Sequence, residues 1–145
     1  MKIGELCSRE VYVVNRTEPL AEAAREMHRR HVGALVVAEQ RGKLLFPVGV
    51  VTDRDVLRSQ IRRRADLFAM TVQDAMTSDP LTLGEAEELA AGISKLRVRR
   101  VRRAPVVAEG GELVGIVSLD DLLPAVAEEL NGLAKLIGQQ AGREA

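Results

Sequence analysis

Tryptophan is absent from this chain, and its only aromatic side chains are Tyr12, Phe46 and Phe68. That argues against a surface that stacks single-stranded bases on a row of rings. Cysteine occurs once, as Cys7, which excludes an internal disulfide framework and a cysteine-based zinc site. With no histidine beside it, Cys7 reads as a small packed side chain rather than a reactive thiol. Neither sign of charge is in excess, because 21 basic residues face 21 acidic ones. A generally basic nucleic-acid binder and an acidic disordered tail do not fit that balance. No run reaches the roughly 18 apolar residues of a membrane helix, and Met1-Lys2-Ile3-Gly4 opens no signal-peptide pattern. The expected compartment is the cytoplasm, with no membrane contact.

What is present is internal repetition. Val11 to Val37 aligns with Pro80 to Val106 at a shift of 69 residues. Leu20 then lies over Leu89, Met27 over Leu96, Val32 over Val101 and Val37 over Val106. Further on the shift is 66, because the first copy carries three extra residues around Lys43 to Pro47. Two copies of one supersecondary unit are implied.

Each copy reads in the same order. A short strand, Tyr12 to Val14 or Leu81 to Leu83, comes first. A helix follows, opened by Thr17-Glu18-Pro19 in the first copy. Leu20, Ala23, Ala24 and Met27 recur at helical spacing, as do Leu89, Ile93 and Leu96. Next come the apolar strands Ala34 to Ala38 and Ala104 to Ala108, turns at Gly42 and Gly110-Gly111, and strands Val48 to Val51 and Leu113 to Val117. A second helix opens at Thr52 or Ser118. This is an α+β plan of two β-α-β-β-α repeats. Strands without polar alternation need cover on both faces, so the repeats are expected to pack sheet to sheet with pseudo-two-fold symmetry.

The expected divisions are repeat 1 over 1–66, repeat 2 over 67–130 and a helical tail over 131–145, together one module. Arg62-Arg63-Arg64-Ala65-Asp66 begins the link between copies. Asn131-Gly132 is expected to interrupt the last helix, with a short helix from Leu133 to Gln140 after it.

The strongest local signal is Gly-apolar-apolar-Thr/Ser-x-x-Asp, present as Gly49…Thr52…Asp55 and Gly115…Ser118…Asp121. The hydroxyl stands where a strand meets a helix N-terminus, a place that favours an anion such as phosphate. A carboxylate one turn later suits a pair of sugar hydroxyls. The same residues also form a capping box with aspartate at its third position, and one residue can serve both roles. The copies differ between hydroxyl and carboxylate: Arg54 stands in one and Asp120 in the other. Arginine there attracts phosphate, whereas aspartate repels it.

Both repeats resemble cystathionine-β-synthase-type (CBS) domains, and the pair resembles a Bateman module, over about Ile3 to Leu130. The resemblance rests on His31-Val32-Gly33-Ala34-Leu35-Val36-Val37, Gly49 to Asp55, Asp74-Ala75-Met76-Thr77, Arg102-Arg103-Ala104-Pro105-Val106-Val107 and Gly115-Ile116-Val117-Ser118. It implies a non-catalytic sensor with no obligatory cofactor. Its regulatory ligand is an adenosine compound held between the repeats: AMP, ADP, ATP, NAD, S-adenosylmethionine or a cyclic dinucleotide. By the same resemblance Asp55 and Asp121 hold ribose hydroxyls, and Thr52 and Ser118 meet phosphate or ribose. Ala34, Val36, Arg103 and Pro105 line adenine, and Val14 and Leu83 cover its face. Val36 departs from the proline that Pro105 keeps. A homodimer is expected because exposed helix faces need cover, and an effector protein would read the ligand state.

Other features point less far. His28 and His31 lack a third metal ligand. No serine or cysteine is paired with a base, and Asp53/Asp55 and Asp120/Asp121 sit at helix starts, so no enzyme is read here. Arg97 to Arg103 holds five arginines in seven residues. That run is a solvated helix end, a phosphate contact beside the second cleft, or a nucleic-acid contact. The rival readings are therefore a ligand-free interaction module and a nucleic-acid binder.

Overall fold

The structure is a computed structural model that describes residues 1–64 and 66–144, so Ala65 of the inter-repeat link lies outside the described residues. Its elements are α1 (Ile3–Leu6), β1 (Val13–Val14), α2 (Leu20–Arg30), β2 (Ala34–Arg41), β3 (Leu44–Thr52), α3 (Asp53–Arg63), α4 (Val72–Ala75), β4 (Thr77–Ser78), β5 (Leu83–Gly84), α5 (Leu89–Arg99), β6 (Arg103–Val107), β7 (Leu113–Ser118) and α6 (Leu119–Glu144). A 3-10 turn at Leu67–Ala69 precedes α4. One sheet has the order β1-β2-β3-β4, the other β5-β6-β7. In each, a short first strand runs parallel to the second, which pairs antiparallel with the third. The fold is the α+β pair of repeats expected from the pattern.

Strand alternation builds the two cores. Leu35, Val37 and Val51 join Leu20, Ala23 and Met27 of α2 in the first. Ala104, Val106 and Val117 join Leu96 of α5 and Leu122 of α6 in the second. Val36 and Pro105, one residue out of phase, are also fully buried. Successive side chains of a strand point to opposite faces, so these two lie on the other face of each sheet, and β3 packs on β7 there. Both α2 and α5 end on a residue in the left-handed region, His31 and Arg100, each with φ 55°. The repeat therefore extends to its helix caps.

The segments that precede the first strands are exchanged. Ile3 is fully buried, but in the second core beside Leu83 and Leu96. Met70 and Val72 are buried in the first. The hydrogen bonds correspond pair by pair at the 69-residue shift. Ile3 N–H donates to Glu87 O at 2.9 Å, and Val72 N–H to Glu18 O at 2.9 Å. Leu89 N–H donates to Met1 O and Leu20 N–H to Met70 O, at 2.9 and 2.8 Å. Beyond them Ser8 pairs with Ile116 at the free edge of β7, as Thr77 pairs with Val50 at the edge of β3. The packing thus crosses the chain division at 66, so each repeat depends on an arm from the other's end of the chain.

That exchange explains the glycine of the repeated motif. A Cβ on Gly115 would stand 2.7 Å from Ser8 O and 2.7 Å from the Cys7 sulfur; one on Gly49 would stand 2.9 Å from Thr77 O. Only a residue without a side chain lets the arm reach the strand edge. Burial pushes the Cys7 thiol up from its ordinary value, which keeps it protonated at neutral pH.

One expectation at the C-terminus is corrected. Asn131-Gly132 does not interrupt the helix, and α6 runs unbroken through Leu133 and Gln140 as one element of 26 residues. No helix among the described residues is long and apolar enough to cross a membrane.

Candidate functional site

The motif folds as a cap in both copies. Thr52 closes the start of α3: its hydroxyl oxygen accepts from Asp55 N–H at 3.1 Å, and Asp55 Oδ2 accepts from Thr52 N–H at 2.9 Å. In the second copy Asp121 Oδ2 accepts from Ser118 N–H at 2.9 Å and from the Ser118 hydroxyl at 3.2 Å. Each aspartate thus keeps its second oxygen, Oδ1, for another donor. The Thr52 hydroxyl, used only as an acceptor, keeps its proton to give.

The helix start itself offers less to an anion than its position suggests. Asp53 N–H donates to Gly33 O at 3.0 Å, Arg54 N–H to Asp53 Oδ1 at 2.8 Å, and Asp55 N–H to Thr52. The first three amides of α3 are satisfied within the protein. An anion at this end must be met by side chains instead.

Two clefts open beside these caps, and each is built crosswise. The first, of about 420 Å³, takes Thr52, Asp53, Arg54 and Asp55 from repeat 1. From repeat 2 it takes Pro80 and Leu81 ahead of β5, and Arg99 and Val101 to Arg103 ahead of β6. The second, of about 390 Å³, takes Ser118, Asp120 and Asp121 from repeat 2, with Glu10 to Tyr12 and His31 to Ala34 from repeat 1. Arg103, Ser118 and Asp120 line both.

Of the residues expected to form the site, Thr52, Arg54, Asp55 and Arg103 come together in the first cleft, and Ala34, Ser118, Asp121 and Arg103 in the second. Four do not reach either. Val14 and Leu83 are packed in the two cores, and Val36 and Pro105 are fully buried between strands. The walls come instead from just ahead of the strands, where Tyr12 and Leu81, and Val11 and Pro80, stand in for the expected Val14 and Leu83. Ala34 and Arg103, the first residues of β2 and β6, still reach the clefts, whereas Val36 and Pro105, two residues further on, are fully buried.

The arginine run is divided by the backbone. Arg97 and Arg99 end α5, Arg100 is its left-handed cap, and Arg99, Arg102 and Arg103 turn into the first cleft. Arg102 therefore lines the first cleft rather than standing beside the second. Its place in repeat 1 is held by Gly33, and that of Arg103 by Ala34. The result is opposite charge. The first cleft has Arg54, Arg99, Arg102 and Arg103 against Asp53, Asp55 and Asp120; the second has Arg103 against Glu10, Asp120 and Asp121. Among the described residues no ion pair holds Arg54, Arg102 or Arg103.

Tyr12 gives the second cleft an aromatic wall. Its hydroxyl donates to Glu10 Oε1 at 3.0 Å, and the Arg30 guanidinium lies 4.5 Å from the ring centre. Arg30 is in turn bonded to Glu26 at 2.7 Å, which holds the Glu26 carboxyl below the usual carboxylate range. The described residues contain no cluster of histidine, cysteine, aspartate and glutamate able to hold a metal ion.

Comparison with known proteins matches residues 3–62 and 72–128 to the CBS domain. A CBS domain protein of Pyrobaculum aerophilum, solved in complex with AMP, is 30% identical; the match covers 91% of this chain and 99% of that one, with a TM-score of 0.78. An uncharacterised 17.7 kDa protein of Acidianus ambivalens is 31% identical over 88% of this chain and 74% of its own length. An inosine-5'-monophosphate dehydrogenase of Korarchaeum cryptofilum is 36% identical over 79% of this chain, but the match covers only 22% of that enzyme.

Proposed function

The chain belongs to the CBS domain family, as a tandem pair, and from that premise we propose that it is a non-catalytic regulatory module that binds an adenine nucleotide between its repeats. The observation that carries this reading is the first cleft. It joins a carboxylate with a free Oδ1 and a hydroxyl with a free proton to Arg54, Arg102 and Arg103, which no ion pair among the described residues occupies. In one opening that set offers a partner for ribose hydroxyls and forked donors for phosphate. The similarity to a protein solved with AMP supports the same ligand class.

The charges support a different ligand preference for each cleft. The first takes the more highly phosphorylated nucleotide, with Arg54, Arg102 and Arg103 on its phosphates and Asp55 on its ribose. The second binds the same adenosine unit with less phosphate, its ribose on Asp121 and its base against Tyr12. Because each cleft is walled by both repeats, a ligand there stabilises one packing of the repeats over another. A partner protein that prefers one packing then responds by no more than the ligand's difference in affinity between the two. Mass spectrometry of small molecules released from freshly purified, acid-denatured protein is expected to find AMP, ADP or ATP at a sizeable fraction of the protein concentration. Release of a nucleotide without adenine would assign the clefts to another ligand.

A further inference from the structure

Arg103 and Ser118 stand in the wall between the two clefts. Arg103 opens β6, Ser118 closes β7, and their Cα atoms are register partners. Both residues line both clefts, as does Asp120 at the start of α6. The corresponding pair of repeat 1, Ala34 and Thr52, is registered in the same way. That pair shares nothing, because Ala34 lines only the second cleft and Thr52 only the first. The wall therefore carries a single arginine.

The clefts need that arginine to different degrees. Without Arg103 the first still has Arg54, Arg99 and Arg102. In the second, Arg103 is the only arginine or lysine, and Glu10, Asp120 and Asp121 face it. Among the described residues no ion pair holds its guanidinium, so its donors are left for a ligand. We propose that Arg103 determines the specificity of the second cleft and serves one cleft at a time, a coupling that rests on the reading of both openings as adenine-nucleotide sites. A guanidinium turned onto a phosphate in the first cleft commits its planar fork to that side. The second cleft is then left with carboxylates and no arginine, surroundings that repel a phosphate and leave an uncharged adenosine unaffected. A phosphorylated nucleotide in the first cleft thus switches the second from AMP to adenosine compounds without phosphate. By linkage the loss is reciprocal: AMP in the second cleft weakens nucleotide binding in the first by the same factor.

The test is calorimetry of AMP and of adenosine with nucleotide-free wild-type and Asp55→Ala proteins. Asp55→Ala disables the first cleft and gives the affinity of the second beside an empty neighbour. In wild type the weaker AMP site is expected to lie about 5- to 150-fold below that value, the usual range of coupling between sites. Adenosine is expected to show no such gap. Arg103→Ala gives repeat 2 the residue that repeat 1 carries as Ala34, so the fold accommodates it. The same comparison in an Arg103→Ala background is expected to close the AMP gap. A gap that survives there would place the coupling in repacking of the repeats or in repulsion between phosphates, and would overturn the role of Arg103. Equal AMP affinities in wild type and Asp55→Ala, a tighter second site in wild type, or AMP binding that Asp55→Ala abolishes would overturn it too, while leaving a nucleotide site in place. Failure of AMP and adenosine to bind any of these proteins would instead overturn the nucleotide sites and the coupling together.

Discussion

Asp55→Ala is expected to weaken adenine-nucleotide binding by about 10- to 150-fold while leaving the protein folded. A hydrogen bond to a charged group is worth about 1.5–3 kcal/mol, and about 1.4 kcal/mol is tenfold in affinity. The same carboxylate accepts from Thr52 N–H through Oδ2, so the substitution also removes half of a capping box. Loss of a cap costs about 1 kcal/mol, a small part of the roughly 5–15 kcal/mol that holds a domain together. Asp55→Asn separates the two roles. Its amide oxygen still accepts the Thr52 amide proton, so stability returns, whereas the charge offered to a ribose does not. Calorimetry beside chemical denaturation checks both variants. Wild-type affinity in a folded Asp55→Ala protein would remove Asp55 from the site.

Ile3→Ala is expected to destabilise the protein by about 2–5 kcal/mol, the range for truncating a buried aliphatic side chain. A residue so near the N-terminus is ordinarily dispensable. Here it is fully buried among Leu83 and Leu96 of the opposite repeat. It fits because Gly92 of α5 has no side chain, and a Cβ there would come within 2.6 Å of Ile3 Cδ1. Ile61→Ala is the control, because the same side chain on α3 is 67% exposed. That variant should shift stability by no more than about 0.5 kcal/mol. Equal effects of the two substitutions in urea unfolding would show that the N-terminal arm does not belong to the second core.

The repeat and its motif were legible because they are written in periodicity and spacing. The 69-residue shift aligns the strands and helices, and the strand-to-helix junctions at Thr52 and Ser118 fall where the pattern puts them. The exchanged arms were not legible in that way. α1 and α4 are four residues each, too short for any helical period. The shift did carry a trace of them, since Met1 lies over Met70 and Ile3 over Val72. Similarity between copies says that two segments play the same part, but not which copy each serves. The same blindness displaced Arg102. Sequence order puts it beside the cleft of Asp121, whereas the crosswise packing puts it in the cleft of Thr52 and Asp55. Val14, Val36, Leu83 and Pro105 stand outside the two clefts for a simpler reason. Their side chains are buried within the packed sheets, whereas the cleft walls come from residues ahead of β1 and β5 and from the first residues of β2 and β6. Asn131-Gly132 reads as a break by local propensity alone, yet the helix continues through it.

The charge contrast between the clefts follows from those placements, and it makes the central claim measurable in one titration series. AMP, ATP and adenosine are titrated calorimetrically into nucleotide-free protein at low and moderate salt. Saturable binding is expected for AMP and ATP. ATP should be the tighter of the two, and its affinity should fall as salt screens Arg54, Arg102 and Arg103. Adenosine should bind with little salt dependence, because its contacts are the carboxylates and the cleft walls. Absence of saturable binding by all three at millimolar concentration would contradict the account.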